Sequence, residues 1–177
     1  MQLEIISQSH NRVDWVVRTN LLWLELASVC FVTLTSLLLL STDSPIRWWV
    51  TGLLIGVSVL VTAVLAATTP HSEIGVLERE PDGGVLTLHK VWIPIGKKQA
   101  LMVPVEDIVE FRSETAQFQD SDEDRYLLSR LWVIGKDGSH QHLTHWLDPD
   151  SVSTLGDVLS KAARCEYERG EVLPAVQ

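Results

Sequence analysis

Cysteine is nearly absent: the 177 residues hold only Cys30 and Cys165. One falls in a long apolar run and the other in an expected surface helix, so no disulfide framework can staple the fold, as in a chain kept in a reducing compartment. Catalytic signatures are missing too. There is no P-loop, no G-x-S-x-G, no H-E-x-x-H and no Cys-His setting that would activate a thiol. Basic charge is scarce, with 14 Lys and Arg against 23 Asp and Glu for a net charge of −9. Residues 71–177 carry most of that excess, 11 basic against 19 acidic. Such a surface is repelled by nucleic acid and by anionic headgroups, so nucleic acid is excluded as a partner. Internal repeats and low-complexity tracts are also lacking.

What the sequence has instead is two unbroken apolar stretches, Leu21–Leu40 and Trp48–Ala67, each 20 residues long. At about 1.5 Å per residue each makes a helix of roughly 30 Å, the thickness of a bilayer's hydrocarbon core. The pattern predicts a transmembrane hairpin over 21–67, preceded by a short cytoplasmic segment over 1–20. Arg12 and Arg18 precede the first run, whereas the connector holds only Arg47, opposed by Asp43. The excess of basic residues places both termini in the cytoplasm of a two-span protein of the inner or plasma membrane. Trp15, Trp23, Trp48 and Trp49 fall near the ends of the runs, where indoles prefer the interface.

Within the runs three residues are candidates for helix packing or partner contact. Glu25 is the only charge; it either meets a basic group of another subunit, serves as a proton site, or snorkels to the interface toward Arg18. Gly52 and Gly56 have the G-x-x-x-G spacing that lets helix backbones approach, within one chain or between chains.

Strand-like segments with turn signals follow over 71–147. Pro81-Asp82-Gly83-Gly84 separates Ile74–Glu80 from Val85–Trp92, and Pro94–Lys98 makes the next break before Ala100–Val105 and Ile108–Ser113. The stretch 120–124 is acidic at four of five positions and reads as a solvated loop. Lys136-Asp137-Gly138-Ser139 joins Tyr126–Ile134 to His140–Leu147 with the strongest hairpin signal of the chain. A helix then starts at Asp148 and Pro149, repeats apolar residues at Val152, Leu155, Val158, Leu159 and Ala162, and is expected to end at Gly170. The fold class expected is α+β: an N-terminal two-helix transmembrane hairpin, a small antiparallel β barrel or sandwich over 71–170 closed by a C-terminal helix, and a loose tail over 171–177.

The segments Gly84-Val85-Leu86-Thr87-Leu88, Val103-Pro104-Val105-Glu106-Asp107-Ile108 and Gly135-Lys136-Asp137-Gly138 carry a resemblance. Together with the plan of the chain they are similar to bacterial two-span membrane proteins with a C-terminal pleckstrin-homology-like (PH-like) domain. Trp92-Ile93-Pro94-Ile95-Gly96-Lys97-Lys98, followed by Glu106-Asp107-Ile108, resembles more loosely the photosystem I assembly proteins of cyanobacteria and plastids. The connector between runs is shorter here, and the arginines that follow Gly-Lys in that family are missing. A PH-like fold implies lipid-headgroup binding at basic residues of the first hairpin loop. Here that loop is acidic, and Lys90, Lys97 and Lys98 form the only local basic cluster, so inositol-lipid binding is not expected.

His140 and His142 share one face of a strand, a spacing by which two imidazoles can share zinc, although further ligands are not evident. No cofactor is expected. The function expected is a non-enzymatic, membrane-anchored scaffold or assembly factor that binds a protein partner or a second copy at the membrane face. Trp92, Phe111, Arg112 and Trp132 are its candidate anchors where exposed, with core packing the competing role for Trp92 and Trp132. The rivals are a small-molecule or metal-handling module, and a regulatory subunit of a transporter or of a respiratory or photosynthetic complex.

Overall fold

Alternation of apolar residues with a period of two decides the architecture, and it begins earlier in the chain than the apolar runs suggest. The computed structural model describes residues 2–19, 47–68, 71–92, 96–119 and 124–173. Strand β1 (Gln2–Gln8) pairs antiparallel with β2 (Arg12–Arg18), and β2 pairs antiparallel with β3 (Ser72–Glu80), with Trp15 opposite Gly75 and Arg18 opposite Ser72. Helix α1 (Arg47–Thr68) lies in the chain between β2 and β3. Strands β4 (Gly83–Trp92) and β5 (Gly96–Pro104) complete a five-stranded sheet in the order β1-β2-β3-β4-β5.

A 3₁₀ turn at Val105–Asp107 leads into the second sheet. Strands β6 (Ile108–Gln119), β7 (Arg125–Gly135), β8 (His140–His142) and β9 (Glu166–Leu173) form it in the order β8-β7-β6-β9. The turn from β7 to β8 is built as its sequence demands: Gly138 has φ +76°, and the Asp137 carboxylate accepts from the Ser139 amide at 2.9 Å. Helix α2 (Pro149–Ala163) touches both sheets. Its start matches expectation, with the Asp148 carboxylate accepting from the Ser151 amide at 3.0 Å and Pro149 in the first turn. Its end does not. Arg164, not Gly170, takes the left-handed conformation (φ 58°) that stops the helix, and the Arg79 guanidinium donates to the Ala163 carbonyl at 2.6 Å. Gly170 belongs instead to β9, which runs parallel to β6 and draws Glu171–Leu173 out of the expected tail.

One core joins these elements. It contains Val13, Trp15 and Val17 of β2, Leu77 of β3, Leu86 and Leu88 of β4, Phe111 of β6, Leu131 and Val133 of β7, and Val152, Leu155 and Leu159 of α2. Trp15 is fully buried, and a Cβ at residue 75 would collide with its ring, so only glycine fits opposite it. The indole N–H has no hydrogen-bond partner among the described residues, so shape and apolar contact hold this residue.

These observations overturn the expected fold class. No helical hairpin precedes the β domain; residues 2–18 are two of its strands, and Arg12–Arg18 alternates Val13, Trp15 and Val17 toward the core as a strand must. The two-span membrane protein is overturned as well. Leu21–Leu40, with Glu25, lies outside the described residues, and among the described residues no helix is long and apolar enough to cross a membrane. The plasma-membrane placement and its sidedness go with it. An apolar run shows that its residues avoid water, and it does not specify what shields them. In α1 the described side chains of Trp49, Leu53, Val59 and Leu60 are exposed, as are Gly52 and Gly56, where a Cβ would meet nothing within 4 Å.

The chain divides into two compact units, Thr19–His71 with Val91–Lys97, and the remainder, to which β1 and β2 belong. Because Trp15 is a central member of the core in that second unit, Trp15→Ala is expected to destabilise it by about 3–5 kcal/mol. Denaturant unfolding monitored by far-UV circular dichroism checks this, and an unchanged midpoint would mean that the first strands contribute nothing to the domain.

Candidate interaction surface

Register places a row of interacting side chains on the outer face of the four-stranded sheet. His142 lies opposite Trp132, Trp132 opposite Arg112, and Arg112 opposite Glu168, one residue from each strand in the order β8-β7-β6-β9. One step along, Arg130 faces Glu114, and farther on Tyr126 faces Phe118. Side chains paired across strands in this way touch, and aromatic and oppositely charged pairs favour it.

The contacts form a continuous stack. The His142 ring lies 3.6 Å from the Trp132 ring, centroid to centroid, at an interplanar angle of 33°. The Arg130 guanidinium sits between two indoles, 4.8 Å from Trp132 and 4.5 Å from Trp146. Trp146 meets the Phe118 ring edge-on at 5.2 Å, and Phe118 stacks on Tyr126 at 5.9 Å. A single carboxylate oxygen, Glu114 Oε2, fixes the middle by accepting from Arg130 Nε at 2.7 Å and from Trp132 Nε1 at 2.8 Å. The bond from Arg130, joined by that from Trp132, outweighs partial burial and holds the Glu114 carboxyl below the usual range. Burial first, and then the Arg130 charge, lowers the His142 pKa, so its imidazole is neutral at neutral pH and stacks as an uncharged ring.

Trp146 has a neighbour with another task. His145 Nε2 approaches Glu73 Oε1 at 3.0 Å, and Lys90 Nζ approaches the same oxygen at 3.2 Å. The Glu73 side chain is only 4% exposed, so it is a buried carboxylate whose charge needs both partners. Burial raises its pKa most, but the bond and charge of His145, together with Lys90, overcome this and leave it lowered.

The sequence candidates separate on this geometry. Trp132 is central to the stack. Arg112 shares its face and bridges Glu110 and Glu168 at 2.6 Å each. Phe111, one residue earlier, points the other way and is fully buried, so it cannot be an exposed anchor. Trp92 ends β4 in the other sheet and is half-buried. His140 and His142 both pack on Trp132, His140 edge-on at 6.3 Å. Among the described residues no group of three or more His, Cys, Asp or Glu is placed to hold a metal ion.

Sequence reading missed Arg130, Glu114, Trp146, Phe118, Tyr126 and Glu73. A usable signal existed for the first: Arg130 and Trp132 are two apart on a strand and therefore share a face. Elsewhere, burial pushes the Cys165 thiol up to about 11, so it stays protonated and unreactive at neutral pH. It lines a cleft of about 270 Å³ with Arg79, Arg164 and Glu106. No protein-family model matches the chain, and no curated protein matches it.

A lowered carboxylate pKa contributes stability that is complete above the unfolded value and is lost as pH falls through the folded one. For Glu73 the loss therefore begins near its ordinary value of 4.5 and proceeds below it. Glu73→Gln is expected to cost about 2 kcal/mol at about pH 7, and the gap to the parent should narrow toward about pH 3. Thermal unfolding of both proteins across this range checks it, and a gap independent of pH would remove Glu73 as the titrating group.

Proposed function

We propose that the chain is a non-enzymatic interaction module that binds a protein partner through the outer face of the β8-β7-β6-β9 sheet. The observation that carries this reading is the stack His142–Trp132–Arg130–Trp146–Phe118–Tyr126. Trp, Tyr and Arg dominate binding energy at protein interfaces, because they offer large contact area for few rotatable bonds. Here they are held rigid before any partner arrives, so little conformational entropy remains to be lost on binding. His142 and Arg130 both pack on the Trp132 ring, which leaves the outer edges of the stack to a partner rather than a slot for a planar ligand. The acidic balance of the chain disfavours nucleic acid on the same surface.

The PH-like resemblance belongs to this proposal. Two packed sheets with a helix touching both support it, while the two strands before α1 and the strand after α2 are additions to that plan.

Arg130→Ala tests the reading. It removes the centre of the stack from a partly exposed position, and circular dichroism of the variant separates lost binding from lost fold. A partner that co-purifies with the parent chain should bind about 30-fold more weakly, the equivalent of a hot spot of about 2 kcal/mol. Quantitative co-purification measures this, and full retention of every partner by the variant would sink the proposal.

A further inference from the structure

The stack ends beside a strand edge that is only partly paired among the described residues. On the side away from β6, β7 is covered unevenly. Ile134, Val133 and Trp132 pair with His140, Gln141 and His142 of β8. The Leu131 carbonyl then accepts from the Leu143 amide at 2.8 Å, and the Leu131 amide donates to Thr144 Oγ1 at 2.9 Å. Ser129 and Leu147 exchange both backbone bonds, at 2.8 and 2.7 Å, after which the chain leaves into α2. Beyond Ser129 the edge has no further pairing among the described residues.

In an antiparallel strand, the N–H and C=O of alternate residues point to the same side. Leu131 and Ser129 direct theirs to this edge, so those of Leu127 and Arg125 do the same. Tyr126 and Leu127 are large apolar residues left 45% and 46% exposed on opposite faces of this stretch. Strand β7 also starts directly after Asp124, the last of the acidic residues in 120–124.

Resting on the interaction reading above, we infer that Arg125–Leu128 receives an extended segment of the partner protein as an added strand, and that this segment alternates basic and apolar residues. The backbone bonds come from Arg125 and Leu127. The alternation follows from the two faces. A residue opposite Leu127 covers an exposed aliphatic side chain and is apolar. Its neighbours fall on the outer face beside Tyr126, where a Lys or Arg is attracted by the exposed ring, and Asp124 adds charge of the complementary sign. Four residues of pairing give a weak, specific contact that the preformed stack extends.

The probe is a synthetic seven-residue peptide, Lys-Val-Lys-Val-Lys-Val-Lys with blocked ends, titrated into the ¹⁵N-labelled full chain. The expected result is saturable binding, with amide shifts concentrated at Arg125–Leu128 and amide exchange at Leu127 slowed at least tenfold. The matching peptide with Glu in place of Lys should bind at least tenfold more weakly. Leu127→Pro removes one edge N–H without breaking a bond to β6 and should abolish the slowed exchange. Should that variant fail to fold, Leu127→Lys should weaken the peptide at least tenfold. Absence of saturation, or shifts located elsewhere, overturns the proposal. So does concentration-dependent protection of Leu127 without peptide, because a second copy then fills the edge. A partner whose capture depends on Arg130 but leaves Leu127 exchange unchanged overturns strand addition alone and keeps the interaction surface.

Discussion

The packing of Trp15 against Gly75 is the contact on which the rest of this structure depends. It ties the strand before the apolar segment to the strand after it, at a site where any other residue at 75 would collide with the ring. Without that contact β2 loses its largest anchor in the core, and only the smaller Val13 and Val17 hold β1 and β2 to the rest of the first sheet. An indole buried with no partner for its N–H among the described residues is a liability on hydrogen-bonding grounds alone. That it is tolerated shows how strongly apolar contact dominates at this position.

From this core the outer face of the second sheet inherits its precision. Phe111, Leu131 and Val133 point inward and fix β6 and β7, so the intervening Arg112, Arg130 and Trp132 must point outward in register. Glu114 then converts register into a fixed arrangement by holding Arg130 and Trp132 with one oxygen. The loop after β8 is fastened at two adjacent residues, His145 to a buried carboxylate and Trp146 to the guanidinium stack. One anchor is a contact with a carboxylate and the other is aromatic, so the loop is held by two kinds of force.

Much of the strand pattern was legible in the sequence. Asp137-Gly138 marked its turn, and Asp148-Pro149 marked the start of α2, because those residues act through local backbone chemistry. The role of residues 2–18 was not legible. Their alternation is short, and the neighbouring apolar runs dominated the reading. The end of α2 was missed for a related reason. A left-handed arginine leaves no compositional mark, and Gly170 offered a more ordinary stop signal. The surface stack was half legible. Trp132 and the two histidines stood out as residue types, but Arg130, Glu114 and Trp146 come together only once pairing register and the path of the loop after β8 are known. Buried Glu73 carried no local signal at all, since its partners lie 17 and 72 positions away along the chain.

Strands β2 and β3 are immediate neighbours, although residues 19–71 separate them in sequence. Whatever that segment does, it leaves and re-enters the sheet through two points about 5 Å apart, the spacing of paired strands. Loop-closure entropy grows only slowly with length, by about 0.6 kcal/mol per doubling, so the sheet tolerates a long excursion there nearly as well as a short one. The pairing of Arg18 with Ser72 therefore sets where the chain departs and returns, and the length of the excursion bears little on the cost of joining β2 to β3.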